Sequence, residues 1–134
     1  MAQRILLVDD DEGFLLAVGR LLEAAGYDVT SALNAGEAKA RLDAELPDLI
    51  LLDVIMPGKD GFVFADEIAK DERLADIPIV LVTAVAESSG QMMHAFEQGM
   101  GLPASDIIPK SAAHERLVDT VNAMLRKKEG DATS

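Results

Sequence analysis

The chain's 134 residues fit one domain with a single well-filled core, and 49% hydrophobic against 27% charged residues is the balance of a globular protein. No apolar run approaches the roughly 20 residues of a membrane span, and Met1-Ala2-Gln3-Arg4 leads into a strand-like run without room for a signal peptide, so a cytoplasmic location is expected. Cysteine is absent, which excludes disulfides, thiolate zinc sites and cysteine nucleophiles, and a net charge of −12 argues against direct DNA or RNA binding.

Arg4–Val8 is wholly apolar after its arginine and reads as a strand buried on both faces. From Asp11 the period changes: Phe14, Leu15, Val18, Leu22 and Ala25 share a helical face, and Gly26 is placed to end that helix. Residues 27–31 read as a second strand. Asn34 with Glu37 has capping-box spacing and opens a helix to about Glu45. Pro47 breaks it, and residues 48–52 form the third strand.

The turn 56–61 precedes a third helix carrying Phe64, Ala65, Ile68 and Ala69. Residues 77–82 form a fourth strand, 87 to about 98 a fourth helix, and Asp106–Pro109 a fifth strand. The last helix shows Leu117, Val118, Val121, Met124 and Leu125 on one face. Residues 1–128 are expected to form the domain and 129–134 a short flexible tail. Five strands alternating with five helices predict a doubly wound α/β fold, a parallel sheet covered by helices on both faces.

In this class sites form at the carboxyl ends of the strands, where the winding reverses. The first strand ends in Asp9-Asp10-Asp11, the third in Asp53, the fourth in Thr83 and the fifth in Pro109-Lys110. With strand order 2-1-3-4-5, Asp9, Asp10 and Asp53 crowd together and repel unless a cation neutralises them. Hard oxygen donors with no histidine or cysteine nearby make magnesium the natural candidate. Lys110 approaches from the opposite side as a fixed positive charge, with the Thr83 hydroxyl between. That arrangement suits phosphoryl transfer to a central carboxylate.

Ile5-Leu6-Leu7-Val8-Asp9-Asp10, Leu51-Leu52-Asp53-Val54-Ile55-Met56-Pro57 with Asp60-Gly61, Val82-Thr83-Ala84 and Lys110 together resemble the receiver domain of bacterial two-component response regulators. Each piece is weak alone; in this order, each on a predicted strand end, they are specific. The resemblance covers essentially the whole chain and implies a flavodoxin-like fold. It implies that Asp53 receives a phosphoryl group from a histidine kinase or phosphotransfer protein. Asp10 and Asp53 would bind Mg2+ directly, Asp9 through water, and the backbone carbonyl of Ile55 would complete the protein ligands. Thr83 would hydrogen-bond the phosphoryl group and Lys110 would pair with it. A downstream protein partner would use the face of the fourth helix, fifth strand and fifth helix, and phosphorylation-dependent homodimerisation is compatible with it.

Three departures from the family pattern stand out. Proline usually follows the lysine, whereas Pro109 precedes Lys110 and Ser111 follows, which puts the lysine's reach in question. Ile107 occupies the place, three residues before the lysine, where many receivers carry a switching aromatic. The segment 99–105 is longer than the usual connection into the fifth strand. Ile55 and Val85, two residues after Asp53 and Thr83, are apolar and unable to orient water, which predicts a long-lived acyl phosphate. Met92, Met93, Phe96 and Met100 are either core or an adaptable binding face. His94 and His114 hold no family position and read as surface residues.

Two other readings compete. A haloacid dehalogenase-like phosphatase needs a second carboxylate two residues after its nucleophile, and Ile55 stands there. A degenerate receiver would act as a phosphorylation-independent binding module, a reading supported by Pro109 alone. A flavodoxin-type cofactor protein lacks its phosphate-cradling loop here. No output domain follows within these residues, leaving a stand-alone receiver and a part of a longer regulator or hybrid kinase both open.

Overall fold

A computed structural model describes residues 3–53, 61–83 and 106–133. The expected fourth helix, the loop 99–105 and most of the turn 56–61 lie outside the described residues. In chain order the elements are β1 (Arg4–Val8), α1 (Glu12–Ala24), β2 (Asp28–Ala32), α2 (Ala35–Ala44), β3 (Leu49–Asp53), α3 (Gly61–Lys70), β4 (Ile79–Thr83), β5 (Asp106–Pro109), a 3-10 turn (Lys110–Ala112) and α4 (Ala113–Thr133). The five strands are parallel and lie in the order β2-β1-β3-β4-β5, as the alternation of apolar runs and helical patterns predicts.

Each strand's alternation divides the core in two. Leu6, Val8, Ile50, Leu52, Ile79 and Leu81 pack with Phe64, Ala65 and Ile68 of α3 and with Ala38 and Leu42 of α2. Their neighbours Ile5, Leu7, Leu49, Leu51, Val80 and Val82 pack on the other face with Leu15, Val18 and Leu22 of α1 and Leu117, Val121 and Leu125 of α4. Central β3 is buried at every position, which explains its unbroken apolar run. Edge strand β2 is mostly exposed.

The helix ends follow their sequence signals. Asp11 caps α1, its side chain accepting from the Phe14 N–H at 3.1 Å. The chain leaves α1 through a Schellman motif: Gly26 N–H donates to the Glu23 carbonyl at 3.0 Å and Tyr27 N–H to the Leu22 carbonyl at 3.1 Å. Gly26 has φ 99°, a backbone conformation that favours glycine. Asn34 caps α2 through Glu37 N–H at 2.9 Å, while the Glu37 carboxylate accepts from Leu33 N–H at 3.3 Å, one residue before the usual capping-box partner.

Some boundaries differ from expectation. Tyr27 belongs to the helix exit, so β2 begins at Asp28 and reaches Ala32, which pairs with Val8. Ile77 N–H closes a turn onto the Leu74 carbonyl at 3.0 Å and Pro78 has no N–H, so β4 begins at Ile79 rather than 77. The backbone of α4 is helical from Ala113 to Thr133.

Candidate functional site

Register brings the strand ends level. Val8 pairs with Leu52, so Asp9 and Asp53, the next residue of each strand, stand side by side. Asp53 pairs with Val82, and Thr83 with Pro109, which sets Lys110 just beyond. Alternation decides direction as well. Residues 5, 7, 49 and 51 face α1 and α4, and Asp9 and Asp53 continue those two series toward the same side. They are the buried charged side chains among the described residues, at 2% and 4% exposure.

Asp9 is held firmly. Its N–H donates to the Ala32 carbonyl at 3.1 Å, and its Oδ1 accepts from Asp11 N–H at 2.9 Å. Lys110 reaches in from the far side of the sheet. Pro109 (φ −63°, ψ 140°) is extended, and the 3-10 turn beginning at Lys110 redirects the chain into α4. The lysine Nζ lies 2.7 Å from Asp9 Oδ2 and 3.7 Å from Asp53 Oδ2. Pro109 therefore does not keep the lysine from the acids. Edge strand β5 tolerates the missing N–H.

Burial is the largest influence on Lys110 and disfavours its charged form. Its close pairing with the Asp9 carboxylate and the charges of Asp53 and Asp11 together outweigh it and raise the ammonium's pKa. The ammonium also sits over the Phe14 ring, 4.6 Å from its centroid.

One carboxylate oxygen from each of Asp9, Asp10 and Asp53 lies within 4.8 Å of the others, with Asp10 exposed at the mouth. Asp9 Oδ2 is buried with no donor in hydrogen-bonding geometry, although the Lys110 ammonium is close enough to pair with it by charge. A buried oxygen short of donors, in an all-carboxylate set with one open side, fits a hard divalent cation such as Mg2+.

Of the residues singled out in the sequence, the fold brings together Asp9, Asp10, Asp53 and Lys110. Thr83 ends β4 at the same sheet edge, with its backbone alone described. Ile107 lies in β5, likewise with its backbone alone described. Ile55, Val85, His94, Met92, Met93, Phe96 and Met100 lie outside the described residues, and so does the His114 side chain. Sequence reasoning missed two contributors. Asp11 links the Asp9 carboxylate to the start of α1, and Phe14, assigned to the core face of that helix, also meets the lysine.

A doubly wound parallel sheet with acids and a lysine converging at its carboxyl edge defines the CheY-like class of flavodoxin-like proteins. The sequence profile described as "Response regulator receiver domain" matches residues 5–122, and the chain belongs to that family. It is 36% identical over 126 residues to the DNA-binding dual master transcriptional regulator RpaA of Synechocystis sp., a match spanning 94% of this chain and 50% of that regulator. The chain thus covers about half the length of such relatives. Among solved structures it resembles a CheY-like receiver domain protein from Methanospirillum hungatei, with TM-score 0.83 and 27% identity over 98% of this chain and 99% of that one. It also resembles response regulator TrrA of Thermotoga maritima, solved in complex with Mg(2+)-BeF, with TM-score 0.76 and 29% identity over 91% and 98% of the two chains.

Proposed function

We propose that Asp53 is the phosphoacceptor of a two-component phosphorelay, taking the phosphoryl group from a phosphohistidine of a histidine kinase or phosphotransfer protein. The observation that carries this reading is the Asp53 carboxylate, buried at 4% exposure at the sheet's carboxyl edge and 3.7 Å from the Lys110 ammonium. One Asp53 oxygen attacks phosphorus, the P–N bond to the donor imidazole breaks, and its electron pair returns to the ring nitrogen. An acyl phosphate forms on Asp53.

Asp10 and Asp53 would hold Mg2+ directly, Asp9 through water, and the Ile55 carbonyl would complete the protein ligands. When bound, Mg2+ supplies positive charge against the equatorial phosphoryl oxygens. Lys110 neutralises another of these oxygens, and the Thr83 hydroxyl donates to a third. Asp11, bonded to the Asp9 carboxylate, keeps that acid aimed at the cluster.

Receiver domains are signalling modules rather than enzymes that turn over an external substrate. The output proposed here is a change in affinity for a downstream protein partner at the face of the expected helix 87–98, β5 and α4, with homodimerisation as one form of it. With RpaA named as DNA-binding and only half its length covered, nucleic-acid contact is assigned to regions of such regulators outside this acidic receiver. The proposed setting is the cytoplasm. Among the described residues no helix is long and apolar enough to cross a membrane.

The phosphorylation-independent alternative rests on Pro109 alone, and the lysine's approach to both acids favours the phosphoacceptor reading over it. The test is incubation with Mg2+ and acetyl phosphate followed by intact mass. One phosphate adduct is expected in the wild type and none in Asp53→Asn or when EDTA replaces Mg2+. Labelling that survives Asp53→Asn would refute the assignment.

A further inference from the structure

We infer that Phe14 is a positioning residue for Lys110. Its ring face holds the ammonium at a station between the Asp9 and Asp53 carboxylates, from which the lysine transfers to a phosphoryl group on Asp53. The transfer rests on Asp53 being the phosphoacceptor, whereas the holding of the lysine does not.

Lysine has a long, flexible stem and a point charge, so it needs a guide to stay in one place. Here Nζ lies 2.7 Å from Asp9 Oδ2, 3.7 Å from Asp53 Oδ2 and 4.6 Å from the centre of the Phe14 ring. Two of its neighbours are charges that change partner when a cation or a phosphoryl group arrives. The ring is neutral and stays. Attraction to a ring face extends to about 6 Å, so from its place 4.6 Å from the centre the ammonium has room for a short shift toward Asp53 within the ring's reach.

The ring is also indexed to the acids. Phe14 N–H donates to Asp11 Oδ1 at 3.1 Å, and Asp11 N–H donates to Asp9 Oδ1 at 2.9 Å. Two hydrogen bonds thus fix the first turn of α1 relative to the Asp9 carboxylate. Phe14 is half-buried and packs against the core beneath α1 and α4, which restrains the ring. A leucine would fill that apolar space and leave the lysine without a guide.

The test combines a static and a kinetic reading. In metal-free protein, NMR should find the Lys110 Hε protons shifted upfield by the ring current. Phe14→Leu and Phe14→Met should abolish the shift, and Phe14→Tyr should keep it. With Mg2+ and acetyl phosphate, Phe14→Leu should label Asp53 about 3- to 10-fold more slowly, the loss expected for one partly desolvated cation–π contact. Phe14→Tyr should restore the rate to within about 2-fold, which a mere space-filling role would not require of an aromatic. Phe14→Met serves the kinetic arm if Phe14→Leu fails to fold.

Unshifted Lys110 protons in the wild type would overturn the positioning role, as would Phe14→Leu or Phe14→Met labelling at the wild-type rate. No labelling of wild type at Asp53 would overturn the phosphoacceptor reading and the transfer with it, while the Lys110 shift would still decide the holding.

Discussion

Asp9 is a carboxylate at 2% exposure with one oxygen, Oδ2, that no donor satisfies in good geometry. Burying such a group is costly, and the Lys110 ammonium at 2.7 Å offsets it. Lys110→Met should therefore destabilise metal-free protein by about 1–3 kcal/mol, less than a fully buried pair because the lysine is partly exposed, and denaturant melts will measure it. Because the folded Lys110 pKa is raised above 10.5, the pair's contribution is complete below 10.5 and lost only as pH rises through the folded value. The gap in stability between wild type and Lys110→Met should thus be the same at pH 7 and pH 9. A gap that halves by pH 9 would contradict the ion pair's role.

At this scale the sequence revealed the acids well and the lysine's surroundings poorly. Asp9 and Asp53 end apolar runs, so parallel pairing alone places them together. The reach of Lys110 depends on the backbone at Pro109 and on a 3-10 turn that leaves no periodic signature. Phe14 was hidden for another reason: it sits on an apolar helical stripe, where a residue with two tasks looks like a residue with one.

Among the elements, the exit from α1 is the most exacting junction. Gly26 at φ 99° joins the helix to β2, and β2 must begin at Asp28 for Val8 to pair with Ala32. Added Cβ would meet nothing within 4 Å there, so the penalty of Gly26→Ala is conformational alone. About 1–2 kcal/mol of lost stability is expected in thermal or denaturant unfolding, and no loss would remove the argument for strain. The N-terminal signals of α1 and α2, Asp11 and Asn34, were legible in the sequence because caps are local chemistry. The starts of β2 and β4 were less so. Tyr27 and Ile77 look like strand residues, but their N–H groups bond back to Leu22 and Leu74. Hydrogen bonding, not side-chain type, sets those limits.

Across the whole molecule, two cores separated by one sheet fix a rim on which like charges are gathered. The order β2-β1-β3-β4-β5 is that of the doubly wound class which alternating strands and helices suggest, and the wholly apolar β3 is buried at its centre. An acidic cluster within a chain of net charge −12 leaves the folded state open to stabilisation by a divalent cation. Magnesium at 100 times its dissociation constant should add about 2.7 kcal/mol to unfolding free energy, read as a rise in melting temperature. Asp10→Asn should lose most of that gain while leaving the buried Asp9–Lys110 pair in place. An equal gain in the variant would move the cation elsewhere.

The proposed function rests on the phosphoryl group being carried by one carboxylate, that of Asp53. Borohydride reduces an acyl phosphate of aspartate to homoserine, so reduction after labelling, followed by peptide mass mapping, marks the acceptor itself. Homoserine at position 53 alone is the predicted result. Homoserine at position 9 or 10, or none at 53 in a protein that has gained phosphate, would contradict it.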